Sequence, residues 1–310
     1  MNEYRCPGSW NSWVAMTLKS AISRTQMLFY LDFLRRYFRD GYTTDCVGSP
    51  SREPQSLRLI RNHTKYLALL GDVGYLVHHE IEYLGFLRRQ LAKFRVVFLV
   101  LGNHEPWHST WEDCLRTARR WERNFRQEKE MESQTELGEL VILDRDKYRI
   151  ETASGETITV LGCTLFSRVP PEAAEAVSFG INDFYHTAGW SVEQHNAAFE
   201  RDLAWLNAEV TALQGDGRTI VVLTHYSPTV DGRASDPRHQ ASPITSGFAT
   251  DLRAATCWRS RDVKLWAFGH THFNCDFIDH STGKRVFANQ RGYYASQSQA
   301  FMADAVVEIL

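Results

Sequence analysis

Four runs of near-continuous apolar residues divide the chain, and each runs straight into a short polar block. Residues 66–70 lead to Gly71-Asp72-Val73-Gly74, and residues 96–101 lead to Gly102-Asn103-His104-Glu105. Residues 220–223 lead to Thr224-His225-Tyr226-Ser227-Pro228, and residues 263–268 lead to Gly269-His270-Thr271-His272. Four to six apolar residues without alternation predict strands buried on both faces. Glycines behind such strands let the backbone turn tightly, so that the next side chain points at a ligand. In an α/β sheet the carboxyl ends of the strands share one rim, where these folds bind their ligands.

The stretches between the blocks predict the supporting elements. Residues 77–94 and 111–134 read as helices, residues 140–143 and 148–150 as short strands, and residues 157–165 as a longer strand. A helix over 192–213 places Ala198, Leu203, Leu206 and Val210 near its buried stripe, and Gly215-Asp216-Gly217 ends it. Residues 275–278 and 285–288 predict a hairpin around Ser281-Thr282-Gly283. Two segments rich in Gly, Pro and Ser read as loops: 41–63 on the surface, and 227–248, which starts beside a polar block. Long loops in such places often carry substrate selection.

Asp, Asn and His at four strand ends are oxygen and imidazole donors for hard to borderline divalent metals. The six cysteines lie outside all four blocks, so a thiolate site is not indicated. With these blocks in this order, the chain resembles the calcineurin-like metallophosphoesterase superfamily. That family's pattern runs Asp-x-His, Gly-Asp, Gly-Asn-His-Asp/Glu, a strand-end His, then Gly-His-x-His. The resemblance covers roughly residues 26–292. It implies an α/β fold of four layers, two mixed β-sheets flanked by α-helices. Residues 1–25 then form an N-terminal extension to a phosphoesterase domain over 26–310.

The same resemblance implies a site of two divalent ions, Mn, Fe or Zn, with Asp72 as the shared ligand. Asn103, His225 and His270 match the ligands of one metal, and His272 and Asp32 join Asp72 at the other. His104 matches the catalytic histidine, and Glu105 the acid that orients it. The first block is where the match departs, because Asp32-Phe33-Leu34 stands where the family has Asp-x-His. Leu34 cannot ligate, so affinity at that metal should drop. Two other readings stay open there: an N-terminus with no true first block, and a helix, since residues 32–38 have helix-like apolar spacing.

Phosphate esters resist hydrolysis because the anion repels nucleophiles, so a catalyst must neutralise charge and supply hydroxide near neutral pH. Two metals roughly 3.5–4 Å apart do both. The expected activity is therefore metal-dependent hydrolysis of a phosphate mono- or diester by a metal-bridging hydroxide, with His104 as a general acid of near-neutral pKa. The alternative is a degenerate relative that binds one metal and a phosphate ligand without turnover, on account of Leu34.

Other polar residues have competing readings. His78 and His79 read as surface histidines, whereas His108, Trp107 and Trp111 either line the substrate mouth or pack the next helix. Asn182-Asp183-Phe184 either caps a loop or shapes the pocket, the structural reading being preferred, and Arg291 either reaches a phosphate bidentately or forms a surface salt bridge.

At 310 residues with 43% hydrophobic content the chain can bury a large core as one α/β domain. A formal net charge of −2 argues against a bulk nucleic-acid footprint while leaving a local groove open, and the lack of an obvious protein-docking segment together with the small size favours a small phosphate ester or nucleotide as substrate. No run of about 18 uncharged apolar residues predicts a membrane span, and the N-terminus lacks a signal-peptide shape. Six cysteines without paired spacing fit a reducing, cytoplasmic setting.

Overall fold

A computed structural model describes residues 15–21, 24–29, 65–131, 137–215, 218–239, 241–293, 296–302 and 305–309 of the chain. The first sheet holds β1 (Ala15–Ala21), β2 (Arg24–Phe29), β3 (Tyr66–Leu70), β4 (Val96–Val100), β5 (Glu139–Ile142) and β14 (Ala305–Ile309). Its order is β14-β2-β1-β3-β4-β5, and β3, β4 and β5 run parallel. β1 lies within the span expected to be an N-terminal extension, yet it pairs antiparallel with both β2 and β3. Asp32, Leu34 and the 41–63 loop lie outside the described residues.

The second sheet holds β6 (Asp146–Glu151), β7 (Thr157–Cys163), β8 (Thr219–Thr224), β9 (Val263–Ala267), β10 (Cys275–Ile278) and β11 (Arg285–Ala288). Its order is β10-β11-β9-β8-β7-β6, with β7, β8, β9 and β11 parallel and the edge strands antiparallel. Both sheets are thus mixed, and β10 and β11 form the hairpin the sequence predicts. A two-residue pair, β12 (Gly292–Tyr293) with β13 (Ser296–Gln297), stands apart.

Period-two alternation along β8 explains the layering. Val221 and Leu223 join a core that also contains Leu67, Leu69, Phe98 and Val100 of the first sheet. Ile220 and Val222 point the other way, onto Ala198, Phe199, Leu206 and Val210. These last four belong to the helix Val192–Leu213, which covers the outer face of the second sheet. The first sheet is covered by α1 (Glu80–Leu91), through Tyr83, Phe86, Leu87 and Leu91. Beside it lies α2 (Trp111–Met131), through Cys114, Ala118, Trp121 and Phe125. The motif strands β3 and β4 are buried along their whole length because each is sandwiched between layers.

Element ends differ from the sequence reading for local reasons. The helix expected from 77 starts at Glu80, because Leu76 N–H donates to the Glu105 carbonyl at 2.9 Å and His79 is not helical, at φ −118° and ψ 45°. The strand expected to reach 165 stops at Cys163, since Leu165 and Phe166 take left-handed backbone at φ 72° and 53°. Between that turn and the long helix come the short helices α3 (Ala174–Gly180) and α4 (Asp183–His186), so the long helix is α5 and the later short one, Thr256–Arg259, is α6.

Candidate metal centre

The loops after β3 and β4 touch backbone to backbone, and that contact selects their glycines. A Cβ on Gly71 would lie 2.4 Å from His225 Nδ1, and one on Gly102 would lie 2.4 Å from Asp72 Oδ1. Any larger residue at either position would displace a site side chain. Asp72, His270 and His272 hold left-handed backbone at φ 56°, 66° and 51°. Such conformations cost on the order of 1–3 kcal/mol each and persist where surrounding structure over-determines them.

Glu105 supplies much of that determination. Its buried carboxylate accepts hydrogen bonds from Asp72 N (2.8 Å), Val73 N (2.7 Å), Gly102 N (2.8 Å) and Tyr83 Oη (3.1 Å). Burial pushes its pKa up from the ordinary value, while these donors pull it down. The carboxylate thus ties the two loops together and makes no hydrogen bond to His104. This differs from the orienting role expected from sequence adjacency, because neighbours along a loop need not point the same way.

The ligand atoms converge from both sheets. His225 Nδ1 lies 2.7 Å from the Leu70 carbonyl, which fixes the N–H there and leaves Nε2 as a lone pair. Nε2 faces Asn103 Oδ1 at 2.8 Å, His270 Nδ1 at 3.2 Å and Asp72 Oδ1 at 3.4 Å. The Asn103 amide is fixed as well, since its Nδ2 donates to Asp183 Oδ1 at 2.8 Å and its oxygen must face the centre. Ligand atoms of Asp72, His225 and His270 all lie within 4.8 Å of one another.

Burial holds the imidazoles neutral, pushing His225 down to about 4 and His270 well below its ordinary value. With His225 Nδ1–H and Asn103 Nδ2 tied down, His225 Nε2 and Asn103 Oδ1 face each other as acceptors at 2.8 Å, which is repulsive unless a cation sits between them. Donors held roughly 2.0–2.2 Å from an ion are about 3–3.5 Å apart, in line with the spacings observed here. Neutral imidazoles, an amide oxygen and a carboxylate are what a divalent metal requires.

His104 sits beside this cluster. Its backbone N–H donates to Asp72 Oδ1 at 3.0 Å, and its ring packs on Trp107 with centroids 4.2 Å apart. Nδ1 is buried without a hydrogen-bond partner among the described residues, 3.8 Å from Asp72 Oδ2. Burial first, then the neighbouring His272, His225 and His186, push its pKa well below the ordinary value, so the near-neutral acid of the sequence reading is a neutral imidazole here. His272 is near enough to depress His104 and His270 but is not one of the three mutually close ligands. Gln290 Oε1 accepts its backbone N–H at 2.7 Å. Its own pKa is pushed down to about 3, chiefly by burial.

Of the two readings of Asp183, a loop cap or a pocket-shaping residue, the sequence favours the first, and the fold brings the residue under the site. Its Oδ1 takes hydrogen bonds from Asn103 Nδ2 and, at 3.0 Å, from Trp107 Nε1. Burial pushes its pKa up to about 6 against those two donors. Trp107 is a buried wall, 2% exposed, rather than an open lip. Trp111 packs on Phe166 and Trp190. The Arg291 carbonyl accepts from Ser298 N at the open end of the β12–β13 pair.

A candidate metal-binding cluster at the carboxyl ends of two mixed sheets, with glycine-clipped loops, is consistent with a metallophosphoesterase site. The chain belongs to the calcineurin-like phosphoesterase family, whose pattern matches residues 41–274. The protein is thus a hydrolase acting on phosphoester bonds. Asp32 and Leu34 lie upstream of the matched span. An uncharacterized protein of Acanthamoeba polyphaga mimivirus is 24% identical over 242 residues, 75% of this chain and 80% of that protein. The phosphopantetheinyl hydrolase of Mycobacterium tuberculosis shares the fold, with a TM-score of 0.54 and 14% identity over 79% of this chain and 85% of that one.

Proposed function

We propose that the chain hydrolyses a small phosphate ester, with Asp72, Asn103, His225 and His270 holding one divalent ion, and Asp72, His272 and Asp32 a second. The observation that carries the reading is the meeting of ligand atoms from four strand ends, those of Asn103, His270 and Asp72 lying 2.8 to 3.4 Å from His225 Nε2. Mn, Fe or Zn bound there supplies positive charge for the phosphoryl oxygens and makes a bound water acidic.

The chain's own residues supply position. Asp183 and Leu70 orient Asn103 and His225, so the amide oxygen and Nε2 face inward without rearrangement. The glycines at 71 and 102 bring the Asp72 carboxylate and the His225 ring within one ion's reach. His104, neutral and packed on Trp107, offers its N–H to the oxygen that leaves, where charge grows as the ester bond breaks.

Among the described residues no helix is long and apolar enough to cross a membrane. Cys114, Cys163, Cys257 and Cys275 are free thiols, which supports the cytoplasmic reading. The test is elemental analysis of purified protein alongside turnover of aryl phosphate mono- and diesters with added Mn. Turnover abolished by a chelator and restored by Mn is the expected result, and turnover indifferent to the chelator overturns the proposal.

A further inference from the structure

A second group of histidines stands above the first. The rings of His78 and His108 are 5.0 Å apart and those of His108 and His186 are 5.4 Å apart. His186 packs on Trp107 at 4.5 Å, and the same indole packs on His104 at 4.2 Å. A single buried indole is therefore shared between this group and the residue beside the candidate metal cluster. His78 and His108 are exposed and His186 is half-buried.

Two loops are locked together to make the arrangement. His108 N–H donates to the His186 carbonyl at 2.7 Å, and Ala188 N–H donates to the Ser109 carbonyl at 2.8 Å. His108 holds its position with left-handed backbone at φ 64°, uncommon outside glycine. The three side chains form no hydrogen bond with any of the described residues, so their ring N–H groups are available.

A metal does not suit this group, since no three of its ring nitrogens come within 4.8 Å of one another. Nor is there an open aromatic face for a base to stack on, because Trp107 and Tyr75 are 2% and 8% exposed. What the rim offers is several N–H donors on the surface, next to a floor that binds a phosphoryl group.

We propose that His78, His108 and His186 form a subsite for a second oxyanion, so that the ester cleaved here carries a further phosphate-like group about one indole width from the breaking bond. This rests on the phosphoesterase reading and narrows it to doubly anionic substrates. Hydrogen bonds from imidazole to an anion are charge-assisted and stronger than neutral ones.

The test measures binding rather than turnover, by calorimetry on the Mn-loaded full chain. Methylphosphonate probes the floor alone, and alkane bisphosphonates of increasing spacer length probe floor and rim together. One spacer length should bind about tenfold tighter than methylphosphonate, a difference of ~1.4 kcal/mol. In His78→Ala/His108→Gly the ratio of the two affinities should fall towards one; glycine at 108 accepts the backbone angle without strain. Methylphosphonate binding by the same variant reports that its floor has folded. No spacer gain in the wild type, or a gain that survives in the variant, overturns the subsite while leaving the phosphoesterase reading intact. A wild type that binds neither ligand overturns both.

Discussion

The floor and the rim of this site are both built from imidazoles, yet they are held in opposite ways. On the floor, His225 and Asn103 each have the polar atom that faces away from the centre tied down, one to Leu70 O at 2.7 Å and one to Asp183 at 2.8 Å. On the rim, His78, His108 and His186 touch one another as rings and leave their nitrogens open. A ligand of fixed radius needs the first arrangement, because a misplaced donor cannot follow it. Groups that vary in shape tolerate the second.

The contrast is broken most completely at Asp72. Asp72→Asn removes the one carboxylate among the described convergent donors, and elemental analysis should find the metal lost. Next comes His104→Ala, which should retain metal and lose about 10²–10⁴-fold in turnover of an aryl phosphate. A variant that loses metal as well would move His104 onto the floor. Glu105→Ala strands three backbone N–H groups and the Tyr83 hydroxyl, and should cost about 3 kcal/mol or more in denaturant unfolding. If Glu105 served only His104, stability would hardly move.

Smaller effects sharpen the comparison. Asp183→Ala frees the Asn103 amide to flip, and metal affinity should fall about 10–100-fold by titration. Asp183→Asn keeps an acceptor and should recover part of that loss. Last is His195, buried away from the metal cluster with Nε2 3.0 Å from Ser167 Oγ. Burial pushes its pKa from 6.5 down to about 4. Its folded-state value is depressed, so its contribution to stability is fully present above pH 6.5 and is lost as the pH falls through about 4. Between pH 7 and 5 the loss should be about 2 kcal/mol, absent in His195→Gln, as read from thermal melts. This separates neutrality caused by burial from any role in ligation.

The four motif strands were legible because a strand buried on both faces writes itself as an unbroken apolar run. β3 and β10, the long helix Val192–Leu213 and β11 occupy the residues the sequence predicted. The meeting of Asp72, Asn103, His225 and His270 was legible because glycine or a strand end marks each. The supporting residues were not. Asp183 meets Asn103 across 80 positions and Gln290 meets His272 across 18, and a single acid or amide in a loop carries no periodic signal. Glu105 misled for the converse reason: adjacency in sequence says nothing of where a carboxylate points.

The cluster also straddles a seam. Leu70 O receives His225 and Leu101 O receives Thr164 Oγ1 at 2.8 Å, so the carboxyl edges of both layers are stitched by bonds that run beneath the donors. Two donors come from each layer, and an ion gripped by all four is a clasp across the sandwich. Its escape on heating would mark the parting of the layers, and free metal concentration would set the temperature at which they part.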